Sequence, residues 1–185
     1  MAVLTFTSAL LLALAPAPLT PDAASTLFAI DNPSTLDVIF ETKAQAKPGR
    51  WKYVFIHHSR TPAGNAMSLG QNTGGLSDHF VIGNGDGAID GEIQIGQRWN
   101  QQQSATPPIG AASIDPACIS ICLVGDFDRA VPTSTQLRRL GQLVGTLQGR
   151  FRIPADHVML VDQAGSTAGV GKYFPGTALR EQLLP

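Results

Sequence analysis

The residues best suited to chemistry begin with two adjacent histidines, His57 and His58, which end an apolar and aromatic run that starts at Trp51. Such a run is typical of a buried strand, and its last side chains would be delivered to a cleft. An imidazole in a cleft can bind a transition metal or exchange a proton near neutral pH. Because side chains alternate along a strand, the two histidines should face opposite sides, and we take His57 as the site residue.

A second candidate group surrounds His79, which begins a short predicted strand. The sequence from Gly83 to Gly87 follows that strand and predicts a turn, since glycine and asparagine tolerate positive φ. Asp78 immediately precedes His79 and could act as a general base in principle. A carboxylate solvated in a turn is the simpler interpretation of the same residue.

The two cysteines, Cys118 and Cys122, are four positions apart in a predicted strand and share one face of it. Their Cα atoms would lie about 13 Å apart, which is beyond the reach of a disulfide. A cysteine pair with no histidine nearby in the sequence is weak support for a metal site. We therefore interpret both thiols as buried apolar side chains.

Four segments, in this order along the chain, resemble the type-2 N-acetylmuramoyl-L-alanine amidase family, which includes the peptidoglycan recognition proteins. They are Trp51–Ser59, His79–Gly87, Ile119–Phe127 and Thr167–Pro175. The resemblance extends from Asp37 to Pro175 and implies an α/β fold in which helices cover a mixed central β-sheet.

The same resemblance implies a zinc site that this chain does not complete. In the family, the zinc is held by a histidine at the end of the first strand, a later histidine and a cysteine. With the alignment anchored on Thr167 and Lys172, those positions hold His57, Val161 and Gly169. A catalytic zinc needs three protein ligands and an open position, and neither an isopropyl group nor a hydrogen atom donates an electron pair. We therefore predict a lost zinc site and no cofactor.

The resemblance also implies roles for other positions. Asp78 stands where many active relatives carry a tyrosine, His79 matches a family histidine beside the cleft, and Thr167 matches a residue near the attacking water. The expected substrate-binding residues are therefore His57, Asp78, His79 and Thr167, of which His57 and Thr167 are vestiges of a catalytic site. Asp162 is a further carboxylate that could bind zinc, but together with His57 it would supply only two ligands.

These correspondences imply an inactive amidase-like domain that binds peptidoglycan or a muramyl peptide. Two alternatives stay open. The first is an active N-acetylmuramoyl-L-alanine amidase in which zinc, held by ligands that the alignment misplaces, activates water against the lactyl amide bond. The second is a structural or protein-interaction domain with an empty cleft.

Composition and charge restrict the partners further. The chain has 185 residues, of which 43% are hydrophobic and 15% charged, as expected for one ordered domain. The net charge is -1, and the acidic and basic residues are interspersed, so no basic surface for a nucleic acid is predicted.

The N-terminal residues 1–24 are predicted to be a secretory signal peptide or an apolar tail. An apolar core from Ala9 to Ala15 leads into the small-residue pattern Ala15-Pro16-Ala17, although no basic residue precedes Lys43. The prolines that follow the core would break a spanning helix, so we expect no stable membrane span in the mature chain. We expect an extracytoplasmic or secreted protein, with a linker at 25–35 and the amidase-like domain at 36–185.

Periodicity predicts the elements that position these residues. Strands are predicted at Trp51–His57, His79–Ile82, Glu92–Gly96, Ile119–Val124 and Val158–Val161. Short helices are predicted at Ala63–Leu69 and Thr177–Leu184. A longer helix, Thr133–Gln148, should begin with a capping box between Thr133 and Gln136. Its buried stripe should comprise Leu137, Leu140, Val144 and Leu147, with Arg138, Arg139 and Gln142 facing water.

Overall fold

A five-stranded mixed sheet forms the centre of the protein. The computed structural model describes residues 33–71, 74–106, 115–160 and 170–185. The strands are β1 (Tyr53–His58), β2 (Phe80–Ile82), β3 (Ile93–Ile95), β4 (Cys118–Leu123) and β5 (Val158–Leu160), in the spatial order β3-β2-β4-β1-β5. β1, β2, β4 and β5 run parallel, whereas β3 pairs antiparallel with β2. The predicted mixed sheet is therefore confirmed.

The helices of the described residues are short except for one. They are α1 (Ala66–Gly70), α2 (Gln97–Asn100), α3 (Ser134–Phe151) and α4 (Gly176–Arg180), together with 3-10 helices at Pro33–Phe40 and Ala155–His157. None of these helices is long and apolar enough to cross a bilayer. The first 3-10 helix buries Leu36 and Ile39 in the main core.

Strands β1 and β4 lie side by side in the interior of the sheet and are buried on both faces. This explains their nearly continuous apolar sequences, which are typical of parallel strands covered on two sides. One face carries Ile56 and Ile121 into the main hydrophobic core. The opposite face carries the polar side chains of His57 and Ser120, so the functional candidates lie on the face away from the main core.

The long helix α3 packs its apolar side against that core. Thr133 and Gln136 form the predicted capping box, in which the Thr133 side chain accepts from the Gln136 N–H. The predicted stripe was only partly right, because Leu137 is half-buried and Leu143 is fully buried. Arg139 was predicted to face water and is instead 4% exposed.

The burial of Arg139 has a physical reason. Its guanidinium group donates hydrogen bonds to the Gly91 carbonyl at 3.3 Å and to the Gln142 side chain at 2.9 Å. Long basic side chains can bury an aliphatic stem if the charged end finds acceptors. The face of α3 that carries Arg139 therefore packs against the loop between β2 and β3 instead of facing water.

Other boundaries differ by a few residues from the sequence predictions. Helix α1 begins at Ala66 rather than Ala63, because Asn65 caps it by accepting from the Ser68 N–H. The cysteines are free and buried, as predicted. Residues 1–24, Val161, Asp162, Thr167 and Gly169 lie outside the described residues, so the predictions made for them stay predictions.

Gln136 joins the start of α3 to the ends of two strands. Its side-chain amide donates to the Ile82 carbonyl at 3.2 Å and to the Val124 carbonyl at 2.9 Å, while its carbonyl accepts from the Thr133 N–H. The side chain is 1% exposed, so these bonds are made without competition from water.

We expect Gln136→Ala to lower the free energy of unfolding by about 2 kcal/mol, because it removes the capping partner and leaves a buried carbonyl without its side-chain donor. Denaturant unfolding followed by circular dichroism measures this change. Ser134→Ala, an exposed position in the same first turn, serves as the matched control and should change stability by less than about 0.5 kcal/mol. Equal effects of the two substitutions would contradict the role assigned to Gln136.

Candidate functional site

The candidate site lies where β1, β4 and the segment before β2 meet. His57 is the fifth residue of β1 and is paired in register with Cys122 of β4. Asp78 is two residues before β2 and reaches the same face. The His57 Nε2 atom lies 2.7 Å from the Asp78 Oδ1 atom. The Ser120 hydroxyl donates a hydrogen bond to that same carboxylate oxygen.

This polar group is enclosed by the protein. His57 is 3% exposed, Ser120 is 2% exposed and Asp78 is 8% exposed. Buried polar groups are stable when they hydrogen-bond to each other, and a buried charge requires a partner of opposite sign. His57 and Asp78 satisfy both requirements as an ion pair.

The electrostatic environment favours the charged form of both partners. Burial by itself would lower the pKa of His57, but the attraction of the Asp78 carboxylate and their hydrogen bond raise it above the ordinary value of 6.5. Burial would likewise raise the pKa of Asp78, but His57 and the hydrogen bond from Ser120 lower it overall. The pair therefore exists as imidazolium and carboxylate over a pH range that includes the interval from 3.8 to 6.5.

Cys122 completes the polar group from the neighbouring strand. Ligand atoms of His57, Asp78 and Cys122 all lie within 4.8 Å of one another. Burial and the nearby Asp78 carboxylate raise the pKa of the Cys122 thiol well above its usual range, so the thiol is protonated in the absence of a metal. Among the described residues, these three side chains form the one cluster whose donor types and spacing could hold a metal ion.

His79 lies behind the site and is fully buried. The Ser120 N–H donates to its Nδ1 at 2.9 Å, so the proton is on Nε2, which donates to the Gln103 carbonyl at 2.8 Å. Its ring also packs edge-on against Trp51 and Trp99. Burial lowers the pKa of His79 to about 4, which keeps the ring neutral. No part of His79 is exposed, and its described contact with the site is the bond through which it positions Ser120.

His58 faces the opposite side of the sheet, as the alternation of strand side chains predicted. Its ring stacks on Phe127 with centroids 5.4 Å apart, and its Nδ1 accepts from the Phe127 N–H at 3.0 Å. Burial and the nearby Arg60 charge lower its pKa. His58 therefore fixes the chain after β4 and takes no part in the polar cluster.

The sequence predicted two of the four residues of the polar group around Asp78 and missed the other two. It singled out His57 and Asp78 but not Ser120, and it interpreted Cys122 as an apolar filler. The available signal was weak: Ser120 is the one hydroxyl in an otherwise apolar strand, Cys118–Leu123. The pairing of β4 with β1, which no local pattern reveals, is what brings these residues to His57.

The chain belongs to the N-acetylmuramoyl-L-alanine amidase family, whose model matches residues 47–176. Comparison with proteins of curated function gave no match.

Solved structures with the same fold include both enzymes and recognition proteins. The endolysin N-acetylmuramoyl-L-alanine amidase LysCS from Clostridium intestinale URNW is 17% identical, with a TM-score of 0.56, covering 76% of this chain and 90% of the other. The bumblebee peptidoglycan recognition protein SA is 19% identical, with a TM-score of 0.51 and coverage of 74% and 88%. Human PGRP-IBETAC, solved in complex with glycosamyl muramyl pentapeptide, is 16% identical, with a TM-score of 0.51 and coverage of 76% and 90%. At these identities the likeness establishes the fold.

The ion pair predicts how His57 titrates in metal-free protein. We expect its protonation midpoint, followed by NMR of the imidazole, to lie above 6.5 and to fall below that value in Asp78→Asn, because burial then acts without the carboxylate. A histidine with a raised pKa stabilises the fold below 6.5 and loses that contribution as the pH rises through its folded midpoint. Asp78→Asn should therefore cost about 3 kcal/mol near pH 6 and less at alkaline pH.

The exposed substitution Asp86→Asn is the control for this titration and should leave the midpoint of His57 unchanged. An unshifted His57 midpoint in Asp78→Asn would show that the two side chains are not paired in solution.

Proposed function

We propose that this protein binds peptidoglycan through a muramyl peptide and does not hydrolyse it. The single observation that carries the proposal is the pairing of His57, the one zinc-ligand position of the family that keeps a donor, with the Asp78 carboxylate at 2.7 Å. In the metal-free protein, the proton held between this imidazole and the carboxylate occupies the electron pair of His57, so His57 by itself does not hold the family's zinc.

The family's zinc does not fit the residues at its three positions. Val161 and Gly169 offer no donor atoms, so His57 would be a single ligand competing with a proton that Asp78 stabilises. One imidazole is too few for a catalytic zinc, which takes three protein ligands and an open position. The absence of donors at these positions supports binding without catalysis.

Within this enclosed group, Asp78 offers an accessible edge to a peptide. Asp78 is the more accessible partner of the ion pair, with 12% of its side chain exposed against 4% for His57. Its carboxylate can accept a hydrogen bond from a peptide N–H, while His57 and Ser120 hold it in one orientation. We include Thr167 among the binding residues on the strength of the family resemblance. Export, predicted from residues 1–24, would bring this surface to the cell wall.

The binding proposal is tested by co-sedimentation of the full chain with insoluble peptidoglycan. We expect the protein to sediment with peptidoglycan and to stay soluble with chitin, which has related sugars but no stem peptides. Asp78→Ala should weaken binding about tenfold, the loss expected when one hydrogen bond to a charged group is removed. Asp86→Ala, at an exposed position, is the control and should bind normally. Equal sedimentation with both polymers, or with neither, would favour the structural or protein-interaction alternative.

Hydrolysis is tested separately with the same substrate. Cleavage of the lactyl amide bond would free the amino group of the first stem-peptide residue, so labelling of new amino groups reports on the reaction. We expect no release above background, with or without added zinc. Zinc-dependent release that disappears in His57→Ala would overturn the inactivity and favour the active amidase.

A further inference from the structure

We propose that His57, Asp78 and Cys122 bind a divalent transition metal of the zinc type, with a ligand set different from that of the family. Cys122 and Asp78 are not family ligand positions, and only His57 is shared. The proposal goes beyond peptidoglycan binding and does not depend on it.

Three separate elements bring the donors together. His57 comes from β1, Cys122 from its register partner in β4, and Asp78 from the segment that leads into β2. Their ligand atoms lie within 4.8 Å of one another. In a tetrahedral zinc site, bond lengths of about 2.0–2.3 Å place the ligand atoms about 3.3–3.7 Å apart. Side-chain adjustments of about 1 Å would therefore form the site without any change in the sheet.

The donor types select the metal. A thiolate, an imidazole and a carboxylate are suitable ligands for zinc, whereas magnesium and calcium prefer sets made only of oxygen. The three side chains are already buried, so they lose little hydration of their own when they bind an ion. The nearby Val81 and Val124, which pack with Cys122 on this face, provide an apolar surround.

Charge balance favours a divalent ion. A neutral imidazole, a carboxylate and a thiolate together carry two negative charges, which a divalent cation cancels, so the occupied site adds no net charge to the interior. The Cys122 thiol would lose its proton to solvent when the metal binds.

The bound ion would link β1, β4 and the segment before β2. All three ligands are less than one-tenth exposed, so we assign the ion a role in stabilising the fold and none in hydrolysis. Cys118 provides an internal comparison, because it is also buried and free on the same strand face. It packs against Phe55 instead of a histidine and lies outside the cluster.

The test uses the full chain, stripped of metal with a chelator and titrated with Co²⁺, which occupies zinc sites and absorbs light. We expect one cobalt per chain and a sulfur-to-cobalt charge-transfer absorption in the near ultraviolet. Cys122→Ser should abolish that absorption, whereas the matched substitution Cys118→Ser should retain it. Zinc should raise the melting temperature of the wild-type chain and of Cys118→Ser but not of Cys122→Ser.

The outcomes separate this site from its alternatives. No absorption in the wild-type chain, or absorption that survives Cys122→Ser, would overturn the proposal. Should Cys122→Ser fail to fold, Asp78→Asn keeps the side-chain shape and should bind cobalt more weakly than the wild-type chain; equal affinity would also overturn the proposal. None of these measurements involves peptidoglycan, so their failure is distinguishable from a failure of the binding proposal.

Discussion

Strands β1 and β4 are paired in parallel in the interior of the sheet, and both of their faces are covered. A polar side chain on either strand is therefore removed from water and has to find its partner inside the protein. On the core-facing side, the polar residue of these two strands is His58, whose ring accepts a hydrogen bond from the backbone N–H of Phe127. On the other side the requirement gathers His57, Ser120 and Asp78 into one hydrogen-bonded group. The site is thus a consequence of the strand pairing.

The buried polar atoms of His57 and Asp78 can be satisfied either by a shared proton or by a metal ion. A proton between His57 and Asp78 satisfies them in the described structure, and a divalent ion would satisfy them together with Cys122. Recognition of a peptide would use the accessible part of the Asp78 carboxylate, whereas a metal would share that carboxylate with His57 and Cys122. The two roles need not exclude each other, because a carboxylate has two oxygens and about four lone-pair directions.

Local patterns in the sequence predicted most of the helices and strands, and two residues of the site, His57 and Asp78. Runs of apolar residues predicted β1 and β4 because parallel interior strands need them, and the capping box at Thr133 predicted where α3 begins. Arg139 was wrongly predicted to face water because one of its acceptors, the Gly91 carbonyl, lies in a loop far away in the sequence. Cys122 was correctly predicted to be buried and free, but its position beside His57 was missed for the same reason. The apolar residues on either side of Cys122 do not indicate that a histidine lies on the adjacent strand. That proximity follows from the register of β1 with β4, which pairs His57 with Cys122.

The neutral ring of His79 has a consequence for behaviour in acid. Its Nδ1 accepts the Ser120 N–H, so a proton at that nitrogen would break the bond that joins the residue before β2 to the middle of β4. Because the pKa of His79 is about 4 in the fold and 6.5 is its ordinary value, the unfolded chain takes up this proton more readily. The stability that the neutral ring provides is complete above 6.5 and declines by about 3 kcal/mol as the pH falls to 4. Acid denaturation should therefore start at the seam between β2 and β4, and it should detach Asp78 from the site before β1 is lost from the sheet.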